Sequence, residues 1–257
     1  MMRVAMNSTS KFKSSDWMEP PMVANTSGRR IQFQQSHSFF DENYFKDGKR
    51  SKKSLYEDYR WLPELTKPLA AAICRFTGII KSDVVVDYGC ARGYLVRAFI
   101  ENGIEAFGID VSEYAITHSD HIVREKLHHL TNETLAEAFE TLGCSKVDWL
   151  IAKDVFEHID PFVLHRTLRD AANMGIKLYV LVPLGDMGRY RIPDYELDAS
   201  HIIAEDEDWW CELFESSGYV VEKLRHEVEG IKQSALPLHK KGNCQFVLKP
   251  QAADRRV

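Results

Sequence analysis

In the stretch Val84 to Val96, VVVDYGCARGYLV, an acid stands two residues ahead of a glycine, and a second glycine follows four positions later. A tight turn between a buried strand and a helix brings backbone N–H groups to the carboxyl edge of a parallel sheet, where ligands bind. Glycine matters there because a side chain would block close approach of the backbone. The residues with that opportunity are Asp87, Tyr88, Gly89, Cys90, Ala91, Gly93 and Tyr94. Two common phosphate-binding turns do not fit the letters. A dinucleotide fingerprint would need glycines where Ala91 and Tyr94 stand, and a Walker A loop would need lysine and a hydroxyl residue where Tyr94 and Leu95 follow Gly93.

A second acid, Asp110, closes the apolar run AFGID. A carboxylate at that edge can accept hydrogen bonds from both hydroxyls of a ribose, so the pair of acids suits either NAD or an adenosine cofactor. A third signal is DWLIAKDVFEHI, which ends an apolar run at Asp154 and continues with Val155, Glu157 and His158. Residues able to move a proton near that edge are His158, His201 and Asp198. The long stretch before EDEDWW, LGDMGRYRIPDYELDASHIIA, also carries Arg189, Tyr190, Arg191 and Tyr195, side chains that could grip a polar substrate. Long loops in compact domains tend to be functional.

These residues need elements to position them. PELTKPLAAAICRFTG has apolar residues at helical spacing and Gly78 as its stop. DVVVDYG predicts a fully buried strand, ARGYLVRAFIENG an amphipathic helix and IEAFGID a second strand, together one βαβ unit of an α/β fold with a parallel sheet. The alternation continues with SEYAITHS as a helix, KLHHLT as a weak strand, NETLAEAFETLG as a helix and VDWLIAKD as a strong strand. PFVLHRTLRDAANMG then predicts a helix, IKLYVLVP a strand, EDEDWWCELFESSG a helix, and YVVEKLRHEVEG with GNCQFVLKP two last strands. The acidic first turn of EDEDWWCELFESSG suits the helix macrodipole.

Residues 1–35 are rich in Ser, Asn and Gln without periodicity and are expected to be a disordered arm. Residues 36–62, with SHSFFDENYF and YEDYRWLPEL, are expected to form a lid or substrate segment, and 251–257 a tail. The run KDGKRSKK, Lys46 to Lys53, is expected to be a solvated basic loop. A hydrophobic fraction of 44% and a net charge of −5 suit a soluble globular protein and argue against wrapping a long nucleic acid. The apolar runs are too short for a bilayer and the first residues lack a secretion signal, so a cytoplasmic protein without membrane contact is expected. The five scattered cysteines contain no CxxC pair, so reduced thiols and no metal are expected.

Taken together, the D-x-G-C-x-x-G turn, the acid after the second strand and D-V-x-E-H-I after the fourth resemble class I S-adenosylmethionine-dependent methyltransferases, over roughly residues 62–250. The resemblance implies a Rossmann-like, seven-stranded, mostly parallel sheet with helices on both faces and a C-terminal antiparallel hairpin, as one domain over 63–250. It implies S-adenosyl-L-methionine as cofactor. Asp87, Tyr88 and the Gly89 to Gly93 backbone with Tyr94 would hold its methionine end, Asp110 its ribose and Val111 its adenine, while Asp154 and Val155 would lie beneath the sulfonium. Ala91 replaces the commonest middle glycine of that motif, and the adenine-contacting acid is unassigned, with Asn132 its candidate.

The resemblance further implies methyl transfer to a small molecule or glycan, most readily to oxygen, with nitrogen next. His158, His201 and Asp198 are the candidate catalytic groups, and Tyr56, Tyr59, Glu157, Arg189, Tyr190 and Tyr195 the candidate substrate contacts. No D/N-P-P-Y/F tetrapeptide or Pro-Cys pair occurs, which argues against nucleobase methylation. Two rival classes remain: an RNA or protein methyltransferase docking through the basic run 46–53, and a non-catalytic cofactor-binding partner subunit.

Overall fold

The computed structural model describes residues 37–233 and 241–252, so the expected arm over 1–35 and the last five tail residues lie outside the described residues. In chain order the elements begin with two short helices, α1 (Glu42–Lys46) and α2 (Gly48–Ser51), then α3 (Pro63–Thr77). The alternating core follows: β1 (Val84–Tyr88), α4 (Tyr94–Glu101), β2 (Glu105–Asp110), α5 (Glu113–Thr117), β3 (Leu127–His129), α6 (Leu135–Thr141), β4 (Trp149–Lys153), α7 (Pro161–Asn173) and β5 (Lys177–Pro183). A small hairpin, β6 (Gly185–Asp186) with β7 (Arg189–Tyr190), precedes α8 (Glu207–Ser216), β8 (Tyr219–Arg225) and β9 (Asn243–Pro250).

The main sheet has seven strands in the order β3-β2-β1-β4-β5-β9-β8. All neighbours from β3 to β5 are parallel, and β9 runs antiparallel to both β5 and β8. This is the Rossmann-like α/β sheet with a C-terminal antiparallel pair that the sequence implies. Side chains of successive strand residues leave on opposite faces. Val85 and Ile151 therefore pack under α3 and α4 with Ile73, Val96 and Phe99, whereas Val86 and Leu150 pack under α6, α7 and α8 with Phe139, Leu164, Trp210 and Phe214. Strands buried on both faces read as continuous apolar runs, which is why VVV and WLIA were legible.

Local signals set the ends of the helices. Thr134 and Glu137 form a capping box at the start of α6, and the left-handed Gly78 ends α3. Two expectations change. The helix expected from Ala91 starts only at Tyr94, because Ala91 (φ 48°) and Gly93 (φ 77°) are left-handed and cannot continue a right-handed turn. The stretch after β5 is not a bare loop: it folds into the β6–β7 hairpin and a 3₁₀ turn at Pro193–Leu197.

The basic run is likewise not an open loop, since it holds α2. Four of its five cations are matched by neighbouring acids, Lys46 with Glu42, Lys49 with Glu57, Arg50 with Asp47 and Lys53 with Asp41. All five cysteines are free thiols. Among the described residues no helix is long and apolar enough to cross a membrane.

Candidate functional site

Strand order reverses between β1 and β4: β2 and β3 lie to one side, β5 to the other. At such a switch point the loops leaving the two central strands diverge and open a crevice at their carboxyl ends. A cleft of about 580 Å³ lies there, lined by Asp87, Gly89, Cys90, Ala91 and Tyr94 from the first turn, Lys153 and Asp154 from the end of β4, and Tyr56 and Tyr59 from the N-terminal segment. That volume suits a small ligand.

The first turn is held by backbone bonds. Gly89 and Cys90 donate to the Ile109 carbonyl, and the two Asp110 oxygens accept from the Ala91 amide at 2.7 Å and the Ser112 amide at 2.7 Å. Asp110 thus ties the first turn to the second and remains at the buried edge, 9% exposed. A side chain on Gly89 would be strained by its φ of 78° and would collide with Val155, which lies directly behind the turn. Cys90 is buried inward against Gly108, so its thiol faces the sheet rather than an acceptor. Tyr88 is buried with its ring edge toward Phe156, and Val111 lies partly buried with its carbonyl near His129 Nε2 at 3.2 Å. Asn132 is exposed.

Asp87 is buried at 4% exposure and accepts no hydrogen bond from any described side chain or amide. Burial pushes its carboxyl up to about 8, against the pull of Lys153, with Asp110 adding repulsion. A cationic group entering the cleft would supply the missing partner. Asp154, in the left-handed region at φ 56°, faces the opposite situation. Burial alone would raise its carboxyl, but Lys153 at 2.6 Å and Lys232, which reaches in from beyond β8, hold it well below the usual carboxylate range.

A second group of polar side chains forms beside Asp154. The 3₁₀ turn Phe156–His158 after β4 presents Glu157 and His158, and the segment before α8 brings Asp198, Ser200 and His201 to them. Tyr44 donates to Asp198 at 3.1 Å, Ser200 donates to Asp198 at 2.5 Å, and Ser200 Oγ lies 2.8 Å from His158 Nδ1. A serine hydroxyl that has given its proton to a carboxylate accepts the next one, so His158 carries its hydrogen on Nδ1. His201 donates from Nδ1 to the Tyr195 carbonyl at 2.9 Å. The two imidazole rings are 4.7 Å apart. Burial lowers both histidines, His201 to about 4 with His158 adding to the effect, so both are neutral at ordinary pH. Burial and the nearby Asp154 push the Glu157 carboxyl well above its usual range.

The structure therefore gathers all three sequence-derived candidates, His158, His201 and Asp198, with Glu157. It places Tyr56 and Tyr59 in the cleft wall, Tyr59 against Tyr94 at 5.2 Å. Tyr190 and Tyr195 adjoin the cluster, with rings 5.1 and 6.1 Å from that of His201, but their hydroxyls are engaged. Tyr190 is buried and gives its hydroxyl proton to the Ile203 carbonyl at 2.7 Å, and Tyr195 bonds Asn243 at 2.8 Å with Lys232 over its ring. Arg189 is exposed on the small hairpin, and Arg191 is clamped by Asp186 and Glu207. Sequence reasoning missed Tyr44, Lys153, Ser200 and Lys232. Only Lys153, next to Asp154, had a local signal; the others reach the site by tertiary contact.

A family model described as a methyltransferase domain matches residues 59–224. No curated protein sequence matches the chain. Among solved structures, the methyltransferase of Haloferax volcanii in complex with its methyltransferase activator is similar at 16% identity and a TM-score of 0.54, over 74% of this chain and 91% of that one. An S-adenosylmethionine-dependent methyltransferase of Archaeoglobus fulgidus is similar at 16% identity and 0.52, over 73% and 96%. A mitomycin 7-O-methyltransferase is similar at 19% identity and 0.51, over 73% of this chain and 54% of that one. These likenesses show the fold; the matched family model covers the glycine turn, Asp110 and Asp154 together. The chain belongs to the S-adenosylmethionine-dependent methyltransferase family.

Proposed function

We propose that the protein methylates a small polar molecule or a glycan on oxygen. When bound, S-adenosylmethionine supplies a methyl group already activated by a sulfonium, so the protein has to bind, orient, exclude water and, for a hydroxyl acceptor, remove a proton. The residues of the cleft fit that donor. Asp87, a buried carboxyl without a hydrogen-bond donor among the described residues, would take the cationic methionine end, with the Gly89 to Gly93 backbone and Tyr94 around it. Asp110 would take the ribose hydroxyls on its free lone pairs, and Val111 would lie by the adenine. Asp154 and Val155 would border the reacting end.

The single observation that carries the acceptor reading is the buried cluster of His158, His201 and Glu157 beside Asp154, with Asp198 and Ser200 orienting His158. Two neutral imidazoles with their Nδ1 hydrogens engaged offer Nε2 lone pairs to an acceptor hydroxyl. Residues 37–62 would act as a lid, since Ser112 donates to the Phe40 carbonyl and Tyr44 reaches Asp198, so one segment spans both halves of the cleft. The paired charges of the basic run leave less free cationic surface for RNA docking. A fold neighbour that is a mitomycin O-methyltransferase is consistent with a small-molecule acceptor.

The test is transfer of labelled methyl from S-adenosylmethionine into fractionated cell extract by the purified protein. The expected label appears in the small-molecule or glycan fraction as an alkali-stable ether. Label confined to RNA or protein overturns the reading, and absence of donor binding in calorimetry would favour the non-catalytic subunit.

A further inference from the structure

We propose that Glu157, His158 and His201 bind a divalent transition-metal ion, and that this ion holds the acceptor oxygen. The second half rests on the O-methyltransferase reading; the first does not. One carboxylate oxygen of Glu157 and one ring nitrogen from each histidine lie within 4.8 Å of one another. His201 Nε2 is 4.0 Å from Glu157 Oε1, too far for a hydrogen bond. Donors on a common ion stand about 3–4 Å apart when each bond is about 2.0–2.2 Å, so a small inward movement of side chains completes the set.

Three further features point to a cation. Glu157 is 1% exposed and its Oε2 is buried without a hydrogen-bond partner. An orphaned carboxylate oxygen in such a place is costly unless something absent from the chain satisfies it. Both histidines also give their Nδ1 hydrogens to fixed acceptors, His158 to the Ser200–Asp198 pair and His201 to the Tyr195 carbonyl. That is the outer arrangement that fixes a metal-binding tautomer and turns Nε2 lone pairs toward an ion. Finally, the cluster combines one carboxyl group with two imidazole rings, while the neighbouring acid Asp154 is already held by Lys153 and Lys232.

Two imidazoles and one carboxylate favour zinc, manganese, iron or cobalt over magnesium or calcium, and three protein ligands leave open positions. With both Nε2 lone pairs on the ion, the histidines no longer remove the proton directly; the ion instead would raise the acidity of an acceptor hydroxyl in an open position. The O–H bond would break with its proton passing to water, and the electron pair left on oxygen would form the O–CH3 bond as the methyl–sulfur bond breaks and its pair returns to sulfur, releasing neutral S-adenosylhomocysteine. The sequence showed no metal site because its three ligands come from two distant segments.

The test uses the full-length, metal-stripped protein with Co²⁺, followed by optical absorption, and with Zn²⁺ and Mn²⁺ by calorimetry. Binding of a single equivalent with the visible bands of nitrogen-ligated Co²⁺ is expected. His201→Ala and Glu157→Gln should each weaken it at least tenfold, while affinity for S-adenosylmethionine stays within twofold of wild type and certifies the fold. Should Glu157→Gln fail to fold, His201→Ala with the same donor control decides. No binding by wild type, or binding unchanged in a folded variant, overturns the site. Methyl transfer to an oxygen acceptor at full rate in chelator overturns the metal's acceptor role and leaves the methyltransferase reading standing; a chelator-sensitive rate restored by Mn²⁺ or Zn²⁺ supports it.

Discussion

On one side of the switch point, a short contiguous stretch does the positioning with its own backbone: Gly89 and Cys90 hang from the Ile109 carbonyl, and Asp110 holds the amides of Ala91 and Ser112. On the other side, His158 is oriented by Ser200, Ser200 by Asp198, and Asp198 also by Tyr44, so side chains from three separated segments hold one another. The first arrangement depends on a few glycines and two acids at strand ends. The second depends on the whole domain placing the segment before α8 and the N-terminal segment against the turn after β4. In the proposed reading the first side holds the donor and the second the acceptor, so the second can be rebuilt for another acceptor without disturbing the first.

The largest effect that would break this comparison is expected from Asp110→Ala. It removes two amide bonds to a charged group, each worth about 1.5–3 kcal/mol, besides the proposed ribose contact. Donor affinity should fall by about a hundredfold or more in calorimetry, with a lower melting temperature because the two turns come apart. An unchanged dissociation constant would remove Asp110 from the donor site.

Ser200→Ala tests the other half. It leaves the His158 Nδ1 hydrogen without its acceptor, and loss of such an orienting partner costs about 10–100-fold in activity or metal affinity. The turnover number should fall by about tenfold while the donor dissociation constant is unmoved. Coupled losses in both would mean that the halves are one unit.

The smallest effect is a pH dependence. The folded value of Asp87, about 8, lies above its ordinary 3.8, so its contribution to stability is complete at acid pH and is lost as pH rises through about 8. Binding of a cation has the opposite sign, because the ligand recruits the ionised form. Donor affinity should therefore rise between pH 6 and 8, as followed by fluorescence titration. The ligand's own α-amino group titrates in the same range, so the difference between wild type and Asp87→Asn isolates the carboxyl. A variant with the same pH profile as wild type would place the cation elsewhere.

Much of the proposed donor half was legible because its determinants are local. Strand periodicity, the glycines of a left-handed turn and an acid at a strand end are each fixed by neighbouring residues. The proposed acceptor half was partly legible: His158, His201 and Asp198 stood out as titratable groups, but nothing in their spacing showed that they meet. Tyr190 and Arg191 stood out by the same criterion and proved to be spent on internal bonds. A side chain's type states what chemistry it can do, and its burial and partners decide whether it is available.

The sequence by itself determined the α/β alternation and the turn that begins at Asp87, since these follow from short-range backbone geometry, and its three motifs implied the cofactor by their resemblance to a known family. Only the tertiary structure decided that Tyr44, Ser200 and Lys232 join the site, that Glu157 keeps a buried oxygen unpaired, and that two histidines far apart in the chain share one small space. The reason is that contacts between distant segments depend on how sheet and helices pack, a property of the whole chain that no local stretch encodes.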